Sequence, residues 1–354
     1  MSSSFVRIHG GVDAQGAPRF DFSTNSNACG PCPVALAAVQ QADAMRYPDP
    51  VYTDLRERLA DFHGVDGVDG ARIVLAGSAS EFIFRITAWT GQQGRRKSDH
   101  TVFVPPHGFG DYAQAARAWG LGIVTQAALA KLVWCCEPSS PMGVAAPLPE
   151  LPPHAVVVLD SAYEPLRLSG TASFTDDQRA QVWQLFSPNK ALGLTGVRAA
   201  YAIAPVGAEA DALALDALAP SWPLGAHGVA LLGAWVQADA QAWLAESLHT
   251  LRRWKAMQIA MLLDMGWICL PSDANFFCAQ PEPLPNSQGM GDALWVAELN
   301  RLRAAGIKLR DTASFGLPGY ARLSVQPPVA QDALRSALRL AAATPDYSSM
   351  EVQT

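Results

Sequence analysis

Charged side chains are scarce in this sequence. Of its 354 residues, only 16% are Asp, Glu, Lys or Arg, whereas 49% are hydrophobic. The 26 basic and 32 acidic residues leave a net charge of −6 and form no basic stripe, which argues against nucleic acid as the principal partner. Because so much apolar material can bury a sizeable core, we expect an ordered chain of about two domains.

Long apolar segments of the kind that cross or enter a membrane are also missing. Met1-Ser-Ser-Ser is followed by Arg7 and His9 and not by an apolar signal-peptide core. The one uncharged window, residues 217–238, contains two prolines and several glycines, which a membrane-spanning helix does not easily hold. We therefore expect a loop that leads into a buried helix there, no membrane partner and a cytoplasmic protein.

Cysteine is present but forms no dense framework of the kind found in small secreted domains. Cys29-Gly-Pro-Cys32 has the spacing of a thioredoxin-type redox site, and that role stays an alternative. The preceding Asn25-Ser-Asn-Ala28 is typical of a loop, however, and not of the core strand that such a site follows. No second CxxC and no spaced histidine pair accompanies it, so we expect no metal site.

The first two thirds of the chain alternate short β-branched runs with helical patterns. This alternation predicts an α/β domain whose sheet is mostly parallel, because the runs are continuously apolar, as in strands buried on both faces. Strands are expected over residues 72–76, 101–104, 131–136, 155–159, 182–186 and 199–203, and helices over 80–90 and 111–119.

After about residue 204 the pattern predicts a smaller α+β domain. Helices are expected over 229–265, 291–305 and 330–343, strands over 267–270, 275–277 and 321–325, and a frayed tail over 346–354. We expect an N-terminal arm over 1–30, a large domain over 31–215 and a small C-terminal domain over 216–354.

Polar residues follow three of the expected strands, where ligands of open α/β sheets bind. Asp160-Ser-Ala-Tyr163 comes directly after one strand, and Ser187-Pro-Asn-Lys190 comes after the next and is followed by Arg198. A third, turn-rich loop runs from Glu137 to Gly143. Together they predict a binding site at this edge of the sheet.

This ordered set resembles the fold-type I pyridoxal-phosphate enzymes of the class I/II aminotransferase superfamily. The resemblance implies pyridoxal 5′-phosphate as the cofactor, bonded covalently to the amine of Lys190. Asp160 would stabilise the protonated pyridine nitrogen, and Tyr163 would donate to the phenolic oxygen of the ring. The phosphate would be held by a group of polar residues and N–H groups: Ser187, Arg198 and the turn at Ser78 and Ala79. Taken singly, each residue has an ordinary structural reading as a surface lysine, a turn residue or a helix cap.

A narrower resemblance runs over nearly the whole chain. The segments that carry it are His9-Gly-Gly11, Asp21-Phe-Ser-Thr-Asn25, Arg46-Tyr-Pro-Asp-Pro50, Gly306-Ile-Lys-Leu-Arg310-Asp and Pro318-Gly-Tyr-Ala-Arg322. They are similar to the threonine-phosphate decarboxylases of cobalamin biosynthesis, close relatives of the histidinol-phosphate aminotransferases.

That narrower resemblance implies further roles. Tyr47 would reach the cofactor phosphate of a second subunit, which implies a homodimer. Phe109 would stack on the cofactor ring; the alternative is that it is an ordinary aromatic residue of the core. Arg310 and Arg322 would bind the anionic groups of the substrate, although either alone is also an ordinary salt-bridge partner. His9 would contact the substrate phosphate or be a mobile terminal histidine.

Several positions depart from the family pattern. Ser140 stands where an asparagine normally bonds the phenolic oxygen of the ring, and Asn189 replaces the hydroxyl residue before the lysine. The phosphate turn is thinned to Ala76-Gly-Ser-Ala79, and Val12 follows the opening HGG. Cofactor binding is still expected, whereas the substrate stays open.

Three functions follow from these residues. We expect a pyridoxal-phosphate lyase that decarboxylates L-threonine O-3-phosphate. The alternative is an aminotransferase of the histidinol-phosphate type, which differs in the substrate bond that breaks. A more remote alternative is a non-catalytic binding protein on the same fold.

Overall fold

A computed structural model describes residues 9–64, 70–93, 100–145, 148–152, 155–282 and 292–342. The chain forms two compact units. The larger unit comprises residues 26–252 and 271–275, and the smaller is drawn from the chain up to residue 25, residues 253–270 and the chain from 276 onward.

Over the described residues, the larger unit contains a seven-stranded sheet and eight α-helices, the last of which ends in the smaller unit. Its strands are β2 (Ile73–Ala76), β3 (Thr101–Phe103), β4 (Gly122–Val124), β5 (Leu132–Cys136), β6 (Val156–Asp160), β7 (Trp183–Phe186) and β8 (Ala200–Ile203). Its helices are α1 (Pro33–Gln40), α2 (Thr53–His63), α3 (Ala79–Gln93), α4 (Gly110–Ala118), α5 (Asp176–Ala180), α6 (Glu209–Ala217), α7 (Ala226–Trp235) and α8 (Ala238–Leu263).

The strand order of this sheet is β2-β8-β7-β6-β5-β3-β4. β8 is antiparallel to both neighbours, and the other pairings are parallel. The prediction of a mostly parallel α/β sheet is thus confirmed. Since β5, β6 and β7 run side by side, the loops that follow them lie at one edge of the sheet, as their sequence pattern indicated.

Both faces of this sheet are covered by apolar side chains. On one face Val158, Leu185 and Trp134 pack with residues of α3, α4 and α6. On the other face Val133, Val157 and Leu159 pack against Phe174 and Val182. Double-sided burial explains why these strands read as unbroken apolar runs in the sequence.

In its described ranges, the smaller unit has two short sheets and two α-helices besides the end of α8. Its elements are β1 (Phe20–Asp21), β9 (Trp267–Cys269), β10 (Phe276–Pro281), α9 (Asp292–Ala304), β11 (Ile307–Lys308), β12 (Arg310–Asp311), β13 (Ala321–Ser324) and α10 (Pro328–Ala342). β1 pairs in parallel with β11, and the four-stranded antiparallel sheet has the order β12-β13-β10-β9. Its core contains Phe22, Phe277, Trp295 and Leu334.

Some elements differ from their predicted bounds. The helix predicted over 229–265 is two helices, α7 and α8. The predictions missed the helices α1, α2, α5 and α6 and the short strands β1, β4, β11 and β12. The start of the helix predicted at 291 and the tail at 346–354 lie outside the described residues.

The compact units also have other bounds than the predicted domains. α7 packs on α1, and Arg58 of α2 donates to the carbonyl of Gly233 at 2.6 Å, so residues 216–252 belong to the larger unit. The described part of the expected arm contributes β1 to the smaller unit, because Phe20 and Asp21 pair with Ile307 and Lys308.

Candidate active site

Asp160 is the last residue of β6, in the middle of the large sheet. Its carboxylate is buried and accepts two hydrogen bonds, from the hydroxyl of Tyr112 at 2.6 Å and from the backbone N–H of Ala162 at 3.0 Å. Burial raises the pKa of Asp160, whereas these two donors and the charge of Lys190 lower it. The net effect is a raised pKa, so the donors offset only part of the cost of burying this charge.

Lys190 lies in the loop that follows β7, the strand next to β6 and Asp160. Its Nζ lies 5.3 Å from the centre of the Tyr163 ring, and its positive charge acts to lower the pKa of the Asp160 carboxyl group. The structure thus brings together the amine, carboxylate and phenol that the sequence placed after two different strands.

The loop from Ser187 to Arg198 is braced by Asn189. The Asn189 side chain accepts from the hydroxyl of Ser187 at 2.9 Å and donates to the carbonyls of Thr195 and Val197, both at 3.3 Å. Asn189, which departs from the family pattern, therefore holds this loop. The hydroxyl of Ser187 donates to Asn189, and Arg198 is exposed.

The turn between β2 and α3 has the groups that an anion needs. Ser78 caps α3 by accepting from the backbone N–H of Glu81 at 3.1 Å, which leaves its own hydroxyl proton to donate. The first N–H groups of a helix also have no partner within the helix. Glu81 is negatively charged, which disfavours an anion at this turn. Its carboxylate accepts a hydrogen bond from the positively charged Arg85 at 2.9 Å, which offsets that charge.

Two aromatic residues follow β3. Phe109 is half-buried at the start of α4 and meets Tyr112 edge to face, with ring centres 5.8 Å apart. Tyr112 is fully buried and stacks on Trp134 at 4.4 Å. The sequence analysis singled out Phe109 but not Tyr112. The sequence signal for Tyr112 was its position as a second aromatic residue, one helical turn after Phe109, on a helix that follows a core strand.

The loop that contains Ser140 is tied to its neighbour by an ion pair. The buried Glu137 carboxylate accepts from Arg167 and from the backbone N–H of Ser173, both at 2.8 Å. Arg167 also donates to Glu164 at 2.8 Å. The loop after β5 is therefore linked to the segment that follows Tyr163, and Ser140 is buried within it.

Tyr47 lies on the surface of the larger unit, with 78% of its area exposed. Its ring stacks on Trp222 at 4.3 Å, and the indole of Trp222 donates to the carbonyl of Pro48 at 3.1 Å. Within one chain Tyr47 therefore contacts this indole, and the role predicted for it in a second subunit stays a prediction.

In the smaller unit, Arg310 and Arg322 are cross-strand partners on β12 and β13. Both are buried, with their guanidinium carbons 4.9 and 5.9 Å from the centre of the Phe315 ring. Burial and the nearby charge of Arg322 lower the pKa of Arg310 to about 10. Two cations buried together would be stabilised by an anion bound to both.

The His9-Gly-Gly11 segment is also held in the smaller unit. The N–H of Gly11 donates to the hydroxyl of Ser23 at 2.8 Å, and Arg322 donates to the carbonyl of Ser23 at 2.9 Å. A side chain at Gly10 would place its Cβ 2.2 Å from that carbonyl oxygen, so this close approach requires glycine. His9 itself is exposed.

Two searches of the described residues gave no site of another kind. Over these ranges, no group of three or more His, Cys, Asp and Glu side chains could hold a metal ion. None of the helices described is long and apolar enough to cross a membrane.

Two curated relatives are similar to this chain over most of its length. The chain is 30% identical over 330 residues to the histidinol-phosphate aminotransferase of Halorubrum lacusprofundi, covering 85% of this chain and 83% of that protein. It is 29% identical over 337 residues to histidinol-phosphate aminotransferase 1 of Thiobacillus denitrificans, covering 86% and 80%.

Solved structures share the fold. Histidinol-phosphate aminotransferase from Sinorhizobium meliloti, determined in complex with pyridoxal-5′-phosphate, matches with a TM-score of 0.74 at 23% identity over 90% of each chain. L-threonine-O-3-phosphate decarboxylase from Porphyromonas gingivalis matches with a TM-score of 0.70 at 18% identity, over 91% of this chain and 99% of that one.

The model of the family described as aminotransferase class I and II matches residues 18–339. That match includes both compact units and contains Asp160, Lys190 and both buried arginines. The expected fold type and cofactor are thus confirmed at the level of the family. The chain belongs to the aminotransferase class I and II family and is a pyridoxal-phosphate-dependent enzyme of fold type I.

Proposed function

We propose that this enzyme is an aminotransferase of the histidinol-phosphate type, which moves an amino group between a phosphate-bearing amine and a 2-oxo acid. The observation that carries the proposal is the position of Lys190, in the loop after β7, near the buried Asp160 that ends the neighbouring strand β6. The curated relatives named above support amino transfer better than decarboxylation, which was the first expectation from the sequence.

The residues at the edge of the large sheet fit pyridoxal phosphate. Asp160 is a buried carboxyl group with two donors that favour its anionic form, the form that a protonated ring nitrogen requires. The Ser78 hydroxyl and the start of α3 offer donors of the kind that a phosphate requires. In this proposal the cofactor contacts are Lys190, Asp160, Tyr163, Ser140, Phe109, Ser78, Ala79, Ser187 and Arg198, with Tyr47 contributed by a second copy.

When bound, the cofactor supplies an electron-accepting ring that stabilises negative charge at the substrate α-carbon. The protein residues orient that ring and move the proton. Asp160 would hold a proton on the ring nitrogen by presenting a negative charge, and Tyr163 would donate to the phenolic oxygen. Freed by the incoming substrate amine, the Nζ of Lys190 would take the proton from the α-carbon and pass it to the cofactor carbon that carries the amino group, and with the 2-oxo acid it would move a proton in the opposite direction.

The arginine pair supports an anionic substrate. Arg310 and Arg322 are buried beside one ring, and planar guanidinium groups bind phosphate and carboxylate through paired hydrogen bonds. We propose that they bind the phosphate of the amino donor and, in the other half of the reaction, the distal carboxylate of the 2-oxo acid. His9 is the third predicted contact of the phosphate.

A direct assay separates amino transfer from decarboxylation. Purified enzyme with pyridoxal phosphate is supplied with histidinol phosphate and 2-oxoglutarate, or with L-threonine O-3-phosphate alone. We expect glutamate from the first mixture and no CO₂ from the second. CO₂ release without a 2-oxo acid, and no glutamate, would overturn the proposal in favour of the lyase.

We also propose that two copies complete each site. The surface around Tyr47 exposes Met45, Val51 and Trp222 together, an apolar area that a second subunit can cover. Mixing a Tyr47→Ala chain with a Lys190→Ala chain should restore part of the activity, because one site of the hybrid dimer is intact. Verified hybrid dimers that show no recovery would contradict the shared site.

A further inference from the structure

The buried hydroxyl of Tyr112 has two polar neighbours, the carboxylate of Asp160 and the thiol of Cys136, of which the carboxylate is the stronger acceptor. The ring lies in the first turn of α4, packed flat on Trp134 and edge-on to Phe109. This packing fixes the hydroxyl at 2.6 Å from the carboxylate of Asp160. A phenol without solvent contact has few alternative acceptors, so the geometry commits its proton to this oxygen.

The two oxygens of Asp160 are held by donors from different segments. One oxygen accepts from Tyr112 on α4, and the other accepts from the N–H of Ala162, two residues beyond the strand. The backbone contact alone would let the carboxylate turn about its χ2 bond. Together the two contacts fix the plane of the carboxylate and hence the direction in which it can accept a further proton donor.

We propose that Tyr112 is a positioning residue that keeps Asp160 ionised and oriented toward the ring nitrogen of the cofactor. The proposal rests on the proposed function, in which Asp160 is the partner of that nitrogen. Tyr112 acts through Asp160 and needs no contact with the substrate. It therefore adds a residue to the site that the sequence analysis did not select.

The other groups around Asp160 support this role. Tyr112 on α4 and Cys136 on β5 face it, and Lys190 lies near it. Burial raises the pKa of the Tyr112 phenol well above its usual value, and burial likewise raises the pKa of the Cys136 thiol. Both groups hence stay protonated at neutral pH, and the phenol remains a donor while Asp160 carries the charge.

The test compares Tyr112→Phe with Tyr201→Phe. Phenylalanine keeps the ring stacked on Trp134 and removes only the hydroxyl. Tyr201 is equally buried, but its hydroxyl contacts His63 at 2.8 Å and Trp235 at 3.0 Å instead of Asp160. The control therefore loses a buried hydroxyl of the same kind, so a general loss of stability affects both variants.

Two readouts do not depend on turnover. The first is the pH titration of the Asp160 carboxyl ¹³C resonance in cofactor-free protein, assigned with Asp160→Asn. The second is the affinity for pyridoxal phosphate and for an analogue with carbon in place of the ring nitrogen. In Tyr112→Phe we expect the titration to move to higher pH and the affinity for pyridoxal phosphate to fall about tenfold or more. The affinity for the analogue, and both readouts in Tyr201→Phe, should stay at wild-type values.

A second variant covers the case in which Tyr112→Phe does not fold. Placing 3,5-difluorotyrosine at position 112 keeps the shape and makes the phenol a stronger donor, so the titration should move to lower pH. Shifts of opposite sign in the two variants are not expected of a residue that only fills space. An unchanged Asp160 titration in the variants that fold would overturn the proposal.

The same measurements separate this proposal from the proposed function. If Asp160→Asn binds pyridoxal phosphate and the analogue as wild type does, Asp160 is not the partner of the ring nitrogen. The assignment of Asp160 to the cofactor then fails, and the role of Tyr112 toward the cofactor fails with it. This holds even if the titration of Tyr112→Phe confirms the hydrogen bond between Tyr112 and Asp160.

Discussion

Two buried charged regions of this protein are arranged in opposite ways. Asp160 in the larger unit is surrounded by groups that stabilise its charged form, the hydroxyl of Tyr112, the N–H of Ala162 and the amine of Lys190. Arg310 in the smaller unit lies beside a second cation, Arg322, which with burial lowers its pKa to about 10. Burial disfavours both charges, because it raises the pKa of Asp160 and lowers that of Arg310. The neighbours of Asp160 offset part of this effect, whereas Arg322 adds to it, so the arginine pair gains more when an anion binds.

The comparison has a functional meaning. A group that orients a resident cofactor benefits from fixed hydrogen bonds, because its geometry is the same in every turnover. A pair that binds successive anionic substrates benefits from repulsion between its two positive charges, because a bound anion reduces that repulsion.

The largest effect is expected at Lys190. Lys190→Ala and Lys190→Arg should both abolish turnover and covalent attachment of the cofactor, since neither side chain supplies a reactive amine. Lys190→Arg keeps the positive charge near Asp160 and serves as the folding control. Borohydride reduction followed by mass spectrometry checks the attachment, and a cofactor found on another lysine would contradict the assignment.

The next effect is expected at Asp160. Asp160→Ala should lower kcat by several orders of magnitude while covalent attachment is largely retained, because the ring nitrogen loses its anionic partner. Asp177→Ala, which removes an exposed carboxylate of α5, is the control. Near wild-type turnover in Asp160→Ala would exclude this carboxylate as the ring partner.

The arginine pair should show a selective effect. Arg310→Ala should weaken use of a phosphorylated substrate relative to its unphosphorylated analogue by about 2 to 5 kcal/mol in kcat/KM, the typical loss for a buried charge-assisted contact. Arg339→Ala on the exposed side of α10 should change neither. An equal loss on both substrates would rule out a phosphate-binding role.

The smallest effect at neutral pH is expected at His63, a buried group held in its neutral form. Its ring nitrogen contacts the hydroxyl of Tyr201, and burial lowers its pKa from 6.5 to about 4. The unfolded chain therefore binds the proton first, so stability is retained above pH 6.5 and is lost as pH falls toward 4, by about 3 kcal/mol in total.

Denaturant unfolding at several pH values measures this loss. His63→Phe should flatten the acid side of the profile, whereas His249→Gln, at an exposed position of α8, should not. An unchanged slope in His63→Phe would mean that other groups set the acid response.

Strands of the large sheet were predictable because burial on both faces leaves an apolar run with no competing pattern. β5 through β8 lie within one or two residues of their expected bounds. α1 and α2 were missed for a physical reason. α1 is short and follows the Cys-Gly-Pro-Cys segment, and α2 begins after Tyr52, which has a left-handed backbone conformation. Such helices depend on what they pack against more than on local sequence.

The sequence by itself determined the fold class, the cofactor family and the order of Asp160, Tyr163 and Lys190 along the chain, because covalent chemistry and strand burial require particular residue types at particular positions. Only the tertiary structure decided that Tyr112 donates to Asp160, that Asn189 holds the loop before Arg198, and that two arginines lie beside one ring. Those contacts join residues from separate strands, helices and loops. Local propensity carries no information about such distant partners, since their distances are set by how the elements pack.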